Sequence, residues 1–125
     1  MNTGKAAEEF VKEYYRKQNV RLVKTKGELG YDFKNEDSTL FIEVKGATTK
    51  DLTRVLFRYF TNTEYEKARL CKKQNLEYRI HLVIGIGTDE IKHYIIPGKV
   101  LLDEAKPEIS WNLPIRKKLE IYLAR

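Results

Sequence analysis

The sequence predicts a layered α/β domain. Three observations carry that expectation: an amphipathic helix over residues 5–18, a strictly alternating strand over residues 39–45, and the chain order helix, strands, helix, strands. A chain of 125 residues fits one compact domain with one core. With 42% hydrophobic and 34% charged residues, its balance is globular rather than disordered.

Each element has its own signature. In residues 5–18, Ala7, Phe10, Val11, Tyr14 and Tyr15 recur at spacings of three and four, and Lys5, Glu9, Lys12, Glu13 and Arg16 fill the other side. Asn19 and Val20 break that pattern, and residues 20–24 read as a short strand. Gly30 opens a second strand through Lys34, and Asn35-Glu36-Asp37-Ser38 is a turn by composition. In Thr39 to Lys45, Leu40, Ile42 and Val44 face one way and Phe41, Glu43 and Lys45 the other. Residues 53–60 alternate as a further strand candidate with Arg54 and Arg58 on its polar face. Thr63 to Glu66 has the S/T-x-x-E spacing of a capping box, so a helix is expected from there to about Gln74. Residues 78–86 and 91–96 read as a hairpin around Gly87 to Glu90 and closed by Pro97-Gly98. A short helix near residues 100–105 and a last strand near residues 119–123 complete the expectation.

Composition narrows the chemistry. Cys71 is the single cysteine, so an internal disulfide is impossible and a thiolate zinc site is disfavoured. Two histidines, His81 and His93, do not make a zinc cluster alone, so any metal would be held by carboxylates, which suit a hard ion. The net charge of +6 leans towards a polyanionic partner. No apolar run approaches the roughly 18 residues a membrane span requires, and the first ten residues carry acids where a signal peptide would be apolar. A soluble, cytoplasmic protein with no membrane partner is expected.

The chemistry-bearing constellation is Asp32, Glu43 and Lys45. Glu43 and Lys45 leave the same face of one strand. If the turn after Lys34 closes a hairpin, Lys34 pairs with Phe41 and Asp32 with Glu43, which puts their Cβ atoms roughly 4.5–5.5 Å apart on a shared face. Facing carboxylates are destabilising unless one takes a proton or both share a cation. Magnesium or manganese satisfies both and keeps positions for water and phosphate oxygens. Lys45 would then stabilise charge in the transition state or orient the attacking water.

Gly30-Tyr31-Asp32-Phe33 followed by Phe41-Ile42-Glu43-Val44-Lys45-Gly46 resembles the D…(D/E)-x-K signature of the PD-(D/E)XK nuclease superfamily. In more detail it is similar to the NO VEIN C-terminal-like family, through Gly4 and Glu8 to Val11, Gly30 to Asp32, Ile42 to Lys45 and Phe60 to Glu64. The resemblance implies a restriction-endonuclease-like three-layer core, with a mixed central sheet flanked by helices. The motif core would span about residues 4–96, with residues 97–125 as a C-terminal extension packing on it, all within one domain of residues 1–125. It implies a metal-dependent endonuclease, with DNA the expected nucleic acid and Mg2+ (or Mn2+) the cofactor. Asp32, Glu43 and Glu8 would be metal ligands, and Lys45 a catalytic partner. Glu8 falls where many superfamily members place a first-helix glutamate, and helical geometry sets it on the stripe of Val11 and Tyr15. Lys50, Arg54 and Arg58 are candidate phosphate contacts. The alternatives are a non-catalytic nucleic-acid-binding module of the same fold, a structure-specific endonuclease like a Holliday-junction resolvase, and an interaction domain whose acids pair only with local lysines. A homodimer, or a place in a larger nuclease or helicase complex, stays open.

The chain departs from the pattern at Tyr31, where a proline is common, and at Phe60 to Glu64, which matches the last motif only with its threonine shifted and leaves the role of Glu64 open. His81, inside an apolar strand, is expected to be a satisfied core histidine, Trp111 a plug over the core, and Cys71 a helix-face residue without chemistry.

Overall fold

The computed structural model describes residues 2–55, 59–107 and 111–124. Helix α1 (Thr3–Arg16) starts where the Asn2 side chain accepts the Lys5 N–H at 3.0 Å. Its stripe of Ala7, Val11 and Tyr15 is buried. The stripe packs on a five-stranded sheet of β1 (Leu22–Lys24), β2 (Phe33–Asn35), β3 (Leu40–Gly46), β5 (Glu77–Ile84) and β6 (Lys92–Pro97), in the order β1-β2-β3-β5-β6. β3 and β5 run parallel, and the other neighbours are antiparallel. A parallel pair needs a crossover, and the chain between β3 and β5 supplies it through helix α2 (Asn62–Lys73).

Alternation along β3 divides the layers. Leu40, Ile42 and Val44 join the α1 cluster, whereas Phe41 joins Ala68 and Cys71 of α2 and Leu101 of helix α3 (Gly98–Glu104) in a second core on the other face. The outcome is a mixed sheet between helices on both faces, the three-layer build expected from the motif resemblance. Leu113 and Leu119 are buried in that second core, close to a small sheet in the order β4-β8-β7, with β4 (Tyr59–Phe60), β7 (Lys106–Pro107) and β8 (Trp111–Asn112). Among the described residues no helix is long and apolar enough to cross a membrane.

His81 is a core histidine, as expected. Its Nε2 meets the Tyr15 hydroxyl at 2.7 Å and its Nδ1 meets Nε2 of His93 at 2.7 Å. Burial drives both imidazoles towards the neutral form, His81 well below its ordinary range and His93 down to about 4.

Three elements differ from expectation for local reasons. Thr53 and Arg54 are not in a strand: the Asp51 side chain accepts the Thr53 N–H at 3.0 Å and starts a 3-10 turn over Leu52–Arg54. Among the described residues of 53–60, strand structure is found at Tyr59–Phe60, and residues 56–58, Arg58 included, lie outside the described residues. Residues 117–122 form a 3-10 helix rather than a strand; Leu123 then bridges Tyr94, and the Ala124 N–H donates to the His93 carbonyl at 2.7 Å, covering the β6 edge. Helix α2 is capped by Thr61 and not Thr63. The Thr61 hydroxyl accepts the Glu64 N–H at 3.1 Å, and a Glu64 carboxylate oxygen accepts the Thr61 N–H at 2.9 Å. Thr61→Ala is therefore expected to cost about 1 kcal/mol, and Thr63→Ala much less, in urea unfolding followed by circular dichroism. Equal losses would contradict the observed cap.

Candidate active site

The hairpin register places the site. Asn35 accepts the N–H groups of Thr39 at 2.9 Å and Leu40 at 3.1 Å, which tightens the turn so that Lys34 pairs with Phe41 and Phe33 with Ile42. One residue on, the chain leaves the ladder: the Asp32 N–H donates to the Ile42 carbonyl at 2.7 Å, and Asp32 Oδ2 accepts the Val44 N–H at 2.8 Å. One carboxylate oxygen of Asp32 is thereby fixed to β3. The other makes no hydrogen bond among the described residues.

Glu43 is 5% exposed, and its carboxylate lies 3.4 Å from the Lys45 ammonium. Both leave the β3 face that looks towards α2. There Lys45 also meets Glu64 at 3.5 Å and lies 4.8 Å from the centre of the Phe60 ring. Asp32, Glu43, Thr61, Thr63 and Glu64 line a cavity of ≈ 210 Å³ closed on one side by the loop through Gly30. Gly30 has φ +90°, and a Cβ there would lie 2.5 Å from the Thr63 carbonyl oxygen, so only glycine lets this loop close on α2. The buried Tyr78 hydroxyl holds the loop by donating to the Gly30 carbonyl at 2.8 Å. A wider, mostly apolar cleft of ≈ 340 Å³ lies beside the later turns of α2, near Cys71 and Leu102, where no acids converge.

The electrostatics follow from burial. Desolvation first, then the charges of Glu64 and Asp32, push the Glu43 carboxyl up to about 9 against the opposing pull of Lys45. Desolvation also raises Asp32, opposed by the Val44 N–H and reinforced by Glu8. Without a cation Glu43 therefore keeps its proton at neutral pH. The donor set is all oxygen, which fits a hard divalent ion. Among the described residues no three His, Cys, Asp or Glu side chains form a ready-made ligand group. Two carboxylates that leave further positions to water and phosphate are the pattern magnesium tolerates.

The structure brings Asp32, Glu43 and Lys45 together and sets Glu8, Lys50 and Arg54 apart. Glu8 is held by Lys24 of β1 at 2.5 Å, on the helix that covers the Ile42 face, while Glu43 looks to the opposite face; Glu8 reaches Asp32 only through its field. Lys50 pairs with Asp89, and Arg54 with Asp51 at 3.6 Å. Neither lines the cavity. Glu64, whose role the sequence leaves open, is the acid that joins Glu43 and Lys45. The word Thr61-Asn62-Thr63-Glu64-Tyr65-Glu66 contains two overlapping T-x-x-E frames. The signal separating them is the hydrophobic staple, which needs apolar residues before the cap and four positions after it. Phe60 and Tyr65 meet that for Thr61, whereas Asn62 and Lys67 fail it for Thr63. The capping T-x-x-E thus falls on Thr61 and Glu64.

Among solved structures the fold is similar to that of Hjc, a Holliday junction resolvase from Archaeoglobus fulgidus, with a TM-score of 0.63 at 16% identity, over 98% of this chain and 90% of that one. A comparison with curated proteins returns no match. The family described as Protein NO VEIN, C-terminal, matches residues 3–96. Three quarters of the sequence, including the β2–β3 hairpin and the start of α2, lie within that match, and the chain belongs to this family, on the restriction-endonuclease-like PD-(D/E)XK fold.

Proposed function

We propose that the protein is a metal-dependent nuclease that hydrolyses phosphodiester bonds, with DNA as the expected substrate. The observation that carries this reading is the convergence of Asp32 and Glu43 on one cavity, with Glu43 buried and the Lys45 ammonium that meets it shared with Glu64. Asp32 and Glu43 would hold Mg2+ or Mn2+, which supplies Lewis-acid activation of water and neutralises charge on the reacting phosphate. Asp32 is oriented for this by the Val44 N–H. Lys45 holds its ammonium against Glu43 and Glu64 of that cavity, from where it would stabilise negative charge on the phosphate oxygens. Glu8 lends negative field at Asp32 while paired with Lys24, and would act as a ligand only on releasing that lysine. Lys50 and Arg54, exposed on the connection after β3, would steer the polyanion by charge.

A second reading, cleavage selective for branched DNA, is favoured by the likeness in fold to a Holliday junction resolvase. Both readings meet one test. Wild type and Asp32→Ala are incubated with four-way, duplex and single-stranded DNA and with RNA, with and without Mg2+. Metal-dependent cutting lost in Asp32→Ala is the expected result. Undiminished cutting by Asp32→Ala would overturn the site, and binding without cleavage of any substrate would favour a non-catalytic module.

A further inference from the structure

We propose that Glu64 is a positioning residue for Lys45, held in place by the N-terminal capping box of α2. The inference rests on the nuclease reading above and adds a residue that reading does not use. A lysine ammonium on its four-carbon stem has no preferred direction of its own. Here three groups hold it: the Glu43 carboxylate at 3.4 Å, the Glu64 carboxylate at 3.5 Å and the Phe60 ring at 4.8 Å. Once Glu43 serves a cation its charge is shared, and the two remaining holds both come from the segment Phe60 to Glu64.

Glu64 is fixed as few surface glutamates are. Its Oε1 accepts the Thr61 N–H at 2.9 Å, its own N–H donates to the Thr61 hydroxyl at 3.1 Å, and its side chain is 15% exposed. The same oxygen that caps the helix faces Lys45. Capping needs only an acceptor, and glutamine serves in that position as well as glutamate. Holding an ammonium group benefits from the negative charge. The two roles therefore separate in a single substitution.

Glu64→Gln keeps the cap and removes the charge. With saturating Mg2+, kcat is expected to fall about 10- to 100-fold, the range for partners that orient a metal site, with KM and the melting temperature close to wild type. A second readout needs no cleavage: the 1H–15N signal of the Lys45 ammonium, expected to be protected from water exchange in wild type and to be broadened or lost in Glu64→Gln. A Glu64→Gln protein with wild-type kcat and an unchanged Lys45 signal overturns the inference and leaves the nuclease reading standing. Should wild type cut nothing, the nuclease reading fails, and the ammonium signal alone decides whether Glu64 holds Lys45: its loss in the variant supports the contact, its persistence refutes it.

Discussion

Glu43→Gln is expected to stabilise the metal-free protein at pH 8 and, in the same molecule, to abolish metal-dependent cleavage. The Glu43 carboxyl is raised by burial and by Glu64 and Asp32 from 4.5 to about 9 in the folded protein. Between those values the folded chain keeps a proton that the unfolded chain has released. Stability therefore falls as pH rises through that window, by linkage. Glutamine fills the site without a proton to lose. Wild type and Glu43→Gln should be similar at pH 5 and diverge towards pH 9, by on the order of 1–3 kcal/mol for a buried polar group. Thermal unfolding across pH, in the presence of chelator, measures the divergence. Parallel curves would mean that Glu43 titrates normally.

Lys45→Met is expected to reduce cleavage by about 10²–10³-fold, the usual loss when one electrostatic stabiliser of a transition state is removed. Methionine keeps most of the stem against Phe60 and deletes only the charge. Because the ammonium lies 3.4 Å from Glu43, it repels any cation held there. Metal affinity in Lys45→Met should therefore be retained or increased while turnover falls. Loss of metal binding together with activity would assign Lys45 to the integrity of the site rather than to the reaction.

The parts of the fold legible in the sequence are those with strong local periodicity. The Leu40-Ile42-Val44 alternation and the Asn35 turn define the β2–β3 hairpin, and the Ala7-Val11-Tyr15 stripe defines α1. With the hairpin register came the nearness of Asp32 to Glu43. Features set by contacts distant in sequence were not legible. Glu8 sits on the expected stripe, but the lysine that holds it is 16 residues away on β1. Lys45 meets Glu64 across 19 residues and a crossover. The 3-10 turn at Leu52–Arg54 overrides an alternating pattern because the Asp51 side chain offers a nearer acceptor than a neighbouring strand. The choice of helix cap turned on two overlapping words that differ only in the apolar residues flanking them.

Whether Asp32 and Glu43 answer to one cation is decided most directly by calorimetric titration of Mn2+ into wild type, Asp32→Asn and Glu43→Gln at pH 7.5. Wild type is expected to bind saturably and to release protons, seen as a heat that varies with the ionisation enthalpy of the buffer, because Glu43 would lose its proton to the buffer on taking the ion. Neither variant should bind. Wild-type heats in both variants, or none in wild type, would contradict a metal held between these two carboxylates.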